Sequence, residues 1–268
     1  MNRFDELFIR KKESILSVYF TAGYPELTDT ALVVSGLERA GADLIEIGFP
    51  FSDPVADGPV IQASSHQALI NGMNLDVLFD QLRELRKTST IPKIMMGYYN
   101  TVYQYQMKRF IDQCVECGID GVIIPDLPPE IYDREYRALF KKAGVHFICL
   151  VAPQTSPERT KYLVSLSRGF IYLLSSSSTT GNNSAAGKEE LSSVAHLKGQ
   201  NTLIGFGIHD HETFSRACAQ ANGAIIGTAF IRCLNEGLPE LKTDEKSMIG
   251  RTGIIDGICR EFVGRIRG

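Results

Sequence analysis

The sequence predicts one closed (β/α)8 barrel domain that spans residues 1–268. Its length is close to the roughly 250 residues that are typical of such barrels. Eight short segments are almost continuously apolar, as parallel strands covered on both faces must be. Stretches with helical periodicity lie between them, so that strand and helix alternate along the chain. An open, doubly wound sheet stays an alternative on this pattern alone.

The predicted strands and helices can be read in chain order. The strands are ILSVYFTAG, DLIEIGFP, KIMMGYY, GVIIPDL, HFICLVAP, FIYLLSSS, TLIGFG and GAIIGTAF. Apolar stripes mark two of the helices, formed by Leu75, Leu78, Leu82 and Leu85 and by Ile255, Ile258, Phe262 and Ile266. Gly118 and Gly144 are expected to end helices. A short helix from about Arg3 to Lys12 is expected to cover the barrel end opposite the active site.

Two connections are longer than a minimal loop and helix require. The second and third strands begin about 50 residues apart, and the sixth strand is followed by the polar run SSSSTTGNNSAAGKEE. Loops that follow the strands open at the carboxyl end of a barrel, where active sites are built. The sequence therefore predicts extended loops after strands two and six that are candidates for function, with insertions that the fold tolerates as the structural alternative.

Composition argues against several classes of function. The formal net charge is −3 with mixed signs, which gives no basic stripe for nucleic acid. No apolar run is long enough to cross a bilayer, and the charged amino terminus lacks the apolar core of a secretory signal. Cys114 and Cys117 form a CxxC on an amphipathic helix, with no second pair at zinc-ligand spacing. The chain has six cysteines, most of them in apolar surroundings, and this usage fits a reducing cytoplasm.

Glu46 is a carboxylate in the carboxyl-terminal half of an otherwise apolar strand. Burial there is costly unless the group is paired or functional, and no lysine or arginine stands at a comparable strand end. Burial should raise its pKa and let it donate and accept a proton near neutral pH. A salt bridge inside the barrel is the structural alternative, and we interpret Glu46 as a catalytic acid and base.

Asp57 follows in the segment FSDPVADGP. Pro59 is well placed to begin a helix, so that Asp57 would precede the positive helix end, which should keep it ionised. Two carboxyl groups whose environments separate their pKa values form a standard pairing of proton donor and anion. A turn or capping aspartate is the structural alternative for Asp57. Asp53 and Asp126 stand beside prolines, and we interpret both as turn residues.

Glycines gather in the last three strand–helix loops. Backbone N–H groups of these loops, together with a short helix, bind phosphate in many barrels, and the segment AFIRCLNEG is predicted to be that helix. His209 and His211 form an HxH without an evident third metal ligand. Lys93 stands at the start of strand three, the wrong end for catalysis, and no lysine occupies a strand's carboxyl end. This argues against a Schiff-base mechanism.

The segment EIGFPFSDPVADGPVIQ, from Glu46 to Gln62, closely resembles the signature of tryptophan synthase α subunits. PDLPPE, YFTAGYP and GFGI also fall where that family has them, and the resemblance spans essentially the whole chain. It implies a lyase that cleaves indole-3-glycerol phosphate to indole and glyceraldehyde 3-phosphate, with no cofactor in this chain. It also implies a β subunit that carries pyridoxal phosphate, receives the indole and forms an α2β2 complex.

The resemblance also implies roles for individual residues. Glu46 matches the general acid and base, and Asp57 matches the carboxylate that accepts the indole N–H. The phosphate-binding positions of the family match Gly181, Gly207, Gly227 and Thr228. Its substrate-pocket positions match Tyr19, Tyr172, Thr180 and Phe206.

The loop after strand six departs from the family pattern. Where the family reads SRxGVTG this chain reads SSSSTTG, so that Ser176 replaces the arginine and Ser178 the glycine. The change bears on loop closure and on any role of that arginine in phosphate binding. A catalytically weak barrel that mainly regulates a β subunit is the alternative function. The related indole-glycerol-phosphate synthase is disfavoured, because it uses a lysine acid that this sequence lacks.

Overall fold

The computed structural model describes residues 2–174, 197, 199–205, 207–238 and 248–268. The strands are β1 (Ile15–Thr21), β2 (Leu44–Gly48), β3 (Lys93–Met96), β4 (Gly121–Ile123), β5 (His146–Phe147), β6 (Leu150–Val151), β7 (Ile171–Leu174), β8 (Thr202–Gly205) and β9 (Gly223–Ile226). Neighbouring strands pair in parallel throughout, in the order β5-β4-β3-β2-β1-β9-β8-β7-β6.

The two ends of this order belong to one segment, which closes the sheet on itself. β5 pairs with β4, β6 pairs with β7, and only two residues separate β5 from β6. Those two residues continue the pairing on both sides: the Ile148 N–H donates to the Val122 carbonyl (3.1 Å), and the Tyr172 N–H donates to the Cys149 carbonyl (3.0 Å). Residues 146–151 therefore form the predicted fifth strand in two pieces, and the (β/α)8 barrel is confirmed.

Helices surround the sheet. They are α1 (Arg3–Arg10), α2 (Asp29–Ala40), α3 (Pro59–Ile70), α4 (Leu75–Leu85), α5 (Tyr99–Tyr105), α6 (Met107–Cys117), α7 (Pro129–Ile131), α8 (Arg137–Ala143), α9 (Pro157–Leu166), α10 (His211–Cys218), α11 (Thr228–Gly237) and α12 (Met248–Arg267). A π-helical turn, Tyr132–Tyr136, joins α7 to α8. The predicted stripe of α4 is fully buried, and that of α12 is buried except for the half-buried Ile258. Gly118 and Gly144 end α6 and α8 in left-handed conformation, as predicted.

The long connection between β2 and β3 consists of a loop and the two helices that the sequence indicated. Residues 49–58 form the loop, and α3 and α4 both follow before β3 begins. Pro59 is the first residue of α3, as predicted, because proline has no N–H to lose at that position. The predicted long loop after the sixth barrel strand, now β7, lies largely outside the described residues. Within the described ranges no helix is long and apolar enough to cross a membrane.

The amino-terminal end of the barrel is covered by α1, as predicted. Phe4, Leu7 and Phe8 of α1 are buried against inward-facing residues of the strands, and the strand residues of this cluster include Ile15, Leu44, Ile94, Ile123, Leu203 and Ile225. Gly121 on β4 makes room for the helix, because a Cβ there would lie 2.5 Å from the Phe4 ring. The apolar cover leaves the carboxyl end of the barrel open for chemistry.

Polar groups hold α1 in this place. The Asn2 side chain donates to the carbonyls of Asp120 and Gly144, both at 2.9 Å, and caps the helix by accepting from the Phe4 N–H. Asp120 forms a salt bridge with Arg3 at 2.7 Å and accepts from the Lys93 N–H at 2.9 Å. Lys93 is thus buried at the amino-terminal end, away from the carboxyl end where a catalytic lysine would stand.

Candidate active site

Glu46 faces the interior of the barrel from the middle of β2. Its side chain is 0% exposed, and in the parallel register it lies beside Tyr19 of β1 and Ile94 of β3. Because side chains alternate along a strand, Glu46 faces the same side as Leu44, which belongs to the apolar cluster over α1. Glu46 therefore stands one layer closer to the carboxyl end of the barrel than Leu44.

The two carboxyl oxygens of Glu46 have different surroundings. The Ser17 hydroxyl donates to Oε1 at 3.1 Å, whereas Oε2 is buried and has no hydrogen-bond partner among the described residues. Burial raises the pKa of Glu46 to about 8, although the hydrogen bond from Ser17 lowers it. The interior salt bridge considered as the alternative is not found in the described part of the chain, where no cation contributes to this pKa. Glu46 is thus a buried group that can change protonation near neutral pH.

Asp57 lies in the loop after β2, directly before Gly58, the residue that caps α3. The Tyr98 hydroxyl donates to Asp57 Oδ2 at 3.1 Å and accepts from the Ala56 N–H at 3.1 Å. Burial raises the pKa of Asp57 and the hydrogen bond from Tyr98 lowers it. The net direction is upward, opposite to the effect expected from the helix end alone, because the half-buried carboxyl loses hydration.

Tyr98 was missed in the sequence. It is the residue before α5, just past the carboxyl end of β3, and its ring stacks on Phe51 with centroids 5.1 Å apart. Burial and the charge of Asp57 raise the pKa of Tyr98 to about 12, so that the phenol stays a donor at neutral pH. One signal was present: KIMMGYY places tyrosines at the carboxyl end of a predicted strand, where barrels build their sites.

Tyr19 and Tyr172 lie in the electrostatic field of both acids. Burial raises the pKa of each phenol above its usual value, and the charges of Glu46 and Asp57 raise it further. An effect of both acids on both phenols requires that the four groups lie near one another, since the interaction falls with distance. The structure therefore gathers these four predicted site residues in one region at the carboxyl end of the barrel.

Glycines give these phenols their room. A Cβ at Gly48 would collide with the hydroxyl of Tyr19, and a Cβ at Gly205 would collide with the hydroxyl of Tyr172. Gly227 is also close to the Tyr19 ring, with a Cβ position 3.0 Å from Cδ1. Glycine at these strand ends thus allows aromatic rings to approach the backbone.

The predicted phosphate-binding residues fall partly within the described chain. Gly207 follows β8, Gly227 follows the neighbouring β9, and Thr228 is the first residue of α11. Gly207 has φ 73°, which favours glycine, and within the described ranges α11 begins without a side-chain cap. N–H groups at a helix start suit an anion. Further predicted positions lie outside the described residues, namely Thr180, Gly181 and Phe206, as do Ser176 and Ser178.

The remaining acidic candidates have structural contacts. Asp126 Oδ1 accepts from the Tyr99 N–H at 2.8 Å, at the start of α5. The Asp53 carbonyl accepts from the Val55 N–H at 2.8 Å, which forms a tight turn in the loop after β2. The Asp53 contact agrees with the turn role expected for that residue, whereas the Asp126 carboxylate binds the start of α5, 27 residues away in the sequence.

The histidines and the CxxC are engaged elsewhere. His209 Nδ1 lies 3.1 Å from the Gly207 carbonyl, and His211 Nδ1 lies 3.0 Å from the Ile266 carbonyl. Cys114 and Cys117 are buried, and burial raises the pKa of both thiols, that of Cys117 to about 11. Among the described residues, no group of three His, Cys, Asp or Glu side chains is placed to hold a metal ion.

Comparison with known proteins gives a family for this site. The model of the family "Tryptophan synthase alpha chain" matches residues 6–255. A tryptophan synthase alpha chain of Flavobacterium johnsoniae is 47% identical over 271 residues, covering 100% of both chains, and one of Flavobacterium psychrophilum is 48% identical over 240 residues, covering 88% of this chain and 94% of its own.

Solved structures agree. Tryptophan synthase subunit alpha of Legionella pneumophila superposes with a TM-score of 0.83 at 32% identity, covering 99% of this chain and 98% of that one. A chain of Mycobacterium tuberculosis tryptophan synthase gives 0.84 at 26% identity, covering 100% and 99%. The chain belongs to the tryptophan synthase alpha chain family.

Proposed function

We propose that Glu46 and Asp57 carry the cleavage of indole-3-glycerol phosphate in this barrel, with Glu46 as the proton shuttle. Membership of the family makes the chain a lyase of tryptophan biosynthesis, whose products are indole and glyceraldehyde 3-phosphate. The observation that carries the proposal is the buried Glu46 carboxyl, with its pKa raised to about 8, in the same region as Asp57. A group of that pKa is both a competent acid and a competent base near neutral pH.

The reaction requires one proton to be delivered and another to be removed. The Glu46 carboxyl gives its proton to C3 of the indole ring. The carboxylate then takes the proton of the adjacent glycerol hydroxyl, the carbon–carbon bond breaks, and its electron pair returns to the ring. Indole and an aldehyde leave, and Glu46 is protonated again.

Asp57 stabilises the charge that appears on the ring. Protonation at C3 makes the indole nitrogen positive, and a carboxylate that accepts the N–H lowers the energy of this intermediate. The hydrogen bond from Tyr98 to Oδ2 fixes the carboxylate and favours its ionised form. Asp57 therefore acts as the anion of the pair, in a site where it is only half exposed.

Tyr19 and Tyr172 line the substrate pocket, and the backbone around Gly207, Gly227 and Thr228 binds the phosphate. The start of α11 supports this assignment, because free N–H groups at a helix start favour an anion. Thr180, Gly181 and Phe206 are assigned to the same pocket on family resemblance alone. Thr228 replaces the family's usual serine without consequence if backbone N–H groups do the binding.

The chain acts with a tryptophan synthase β subunit in an α2β2 complex and passes its indole to that partner. Pyridoxal phosphate belongs to the β subunit, and the proton transfers assigned to this chain use its side chains only. The compartment is the cytoplasm. Six free cysteines support it, because disulfides are rare in reducing compartments.

The decisive experiment measures free indole released from indole-3-glycerol phosphate by the purified chain, alone and with a β subunit. We expect indole from the wild type and none from Glu46→Gln, which keeps the size of the side chain but not the proton. Circular dichroism of the variant should match that of the wild type.

Two results would overturn the proposal in different ways. Indole release by Glu46→Gln at near-normal rates would show that Glu46 is structural. If the wild type releases no indole, either alone or with a β subunit, but still changes the turnover of the β subunit, the regulatory barrel would be supported instead.

A further inference from the structure

We propose that Ser17 is a positioning residue that fixes the Glu46 carboxyl group, so that Oε2 is the oxygen that carries the transferred proton. The inference rests on the proposed acid and base role of Glu46. Ser17 lies on β1, and it is not among the residues assigned above to bind the indole or the phosphate.

The position of Ser17 is unusual for a hydroxyl. Its side chain is 0% exposed and faces the barrel interior between Ile15, which belongs to the apolar cluster over α1, and Tyr19. A buried hydroxyl without a partner is costly, and here Oγ donates to Glu46 Oε1 at 3.1 Å across the β1–β2 pairing. The strand register, which sets Tyr19 beside Glu46, fixes the geometry of this contact.

This single donor makes the two oxygens of Glu46 inequivalent. A serine hydroxyl has one proton to give, and Ser17 gives it to Oε1. Oε2 has no partner among the described residues, so that it is the oxygen left to carry a proton in a buried site. A neutral carboxyl with its proton on Oε2 avoids the cost of a buried charge.

Ser17 then acts on the second half of the cycle. When Oε2 has given its proton to the substrate, the carboxylate is charged, and the hydrogen bond to Oε1 stabilises it. This agrees with the lowering effect of Ser17 on the pKa of Glu46. A purely structural serine would only give the buried carboxyl a hydrogen-bond partner and would leave the rate and the pH dependence of proton transfer unchanged.

The test compares pH profiles of indole release by the full chain in the presence of a β subunit. Ser17→Ala should lower kcat about tenfold and move the alkaline fall of kcat/KM about one pH unit upward, as expected for the loss of a hydrogen bond to a charged group. KM should stay within about twofold, because no substrate contact is lost. Ser17→Thr, which keeps the hydroxyl, should restore the wild-type profile.

Ser64→Ala is the matched control. Ser64 is also a buried serine, but its Oγ contacts the Thr21 hydroxyl at 2.7 Å and the Ile61 carbonyl at 2.8 Å rather than Glu46. Its profile should superimpose on that of the wild type. If Ser17→Ala does not fold, Ser17→Cys keeps the volume with a much weaker donor and should show the same direction of change.

Two outcomes would contradict the proposal. A folded Ser17→Ala or Ser17→Cys with an unshifted alkaline limb and a normal kcat would overturn the positioning role, even if its melting temperature falls. An active Glu46→Gln would instead remove the proposed function on which the inference rests, so that the two failures are distinguishable.

Discussion

Replacing Glu46 by glutamine should stabilise the protein at alkaline pH, although it abolishes activity. The wild-type carboxyl must be ionised in the unfolded chain above its ordinary pKa of 4.5, whereas burial holds it protonated in the folded chain up to about pH 8. The folded state therefore binds the proton more tightly. Glutamine has the same shape, can accept from Ser17 through its amide oxygen, and never carries a charge.

The sign and size follow from proton linkage. A carboxyl whose pKa is raised on folding contributes in full to stability below pH 4.5, loses that contribution as pH rises, and has lost it above pH 8. At about 1.4 kcal/mol for each pH unit between these limits, the loss is about 5 kcal/mol. Glu46→Gln escapes this loss. Its advantage in free energy of unfolding should thus be near zero at pH 4.5 and about 5 kcal/mol at pH 8.5.

Urea unfolding of both proteins at pH 4.5, 6.5 and 8.5, followed by circular dichroism, measures the effect. The difference between variant and wild type should grow steadily across the three values. Ser64→Ala removes a buried hydroxyl but no titratable group, so its difference from the wild type should not depend on pH. A Glu46→Gln difference that is equally independent of pH would refute the claim that Glu46 is protonated in the folded protein.

Two further substitutions test the neighbours of the acids. Tyr98→Phe removes the hydrogen bond to Asp57, so we expect kcat to fall about tenfold. The acidic limb of the pH profile should move to higher pH, because the pKa of Asp57 rises when the hydrogen bond is lost. An acidic limb at the wild-type pH would mean that Tyr98 does not stabilise the ionised Asp57. Gly205→Ala places a methyl group against the Tyr172 hydroxyl, so it should raise KM about tenfold and lower the free energy of unfolding by about 1–3 kcal/mol. Gly253→Ala has open space around its methyl group and should change neither quantity. Equal kinetics in the two variants would contradict the claim that Gly205 makes space for Tyr172.

The strands, the helix stripes and the helix ends could be predicted because their signals are local. The stripe of α4 and the terminal Gly118 each depend on residues within a few positions. The division of the fifth barrel strand into β5 and β6 could not be predicted, because it depends on pairing with β4 on one side and β7 on the other. Such pairing joins residues that are far apart in sequence, and no local pattern encodes it.

The same distinction between local signals and long-range contacts applies to the candidate site. Glu46 could be found because an acid in an apolar strand is exceptional. Ser17 and Tyr98 are ordinary residues in their own segments, and their importance appears only when register and loop geometry bring them to Glu46 and Asp57. The glycines of the last three loops predict a phosphate site, whereas the described contact at Gly205 is with the Tyr172 ring.

The cover formed by α1 also bears on the order of folding. Asn2 bonds to carbonyls that lie 118 and 142 residues further along the chain, at Asp120 and Gly144. During synthesis α1 is made long before β4 and α8, so these two hydrogen bonds can form only after both elements have been made. The apolar face, with Phe4 and Phe8, likewise gains its contacts with Ile123 and Phe170 only after those residues have been made. The first helix made therefore reaches its full set of native contacts only after β4 and α8 have been made.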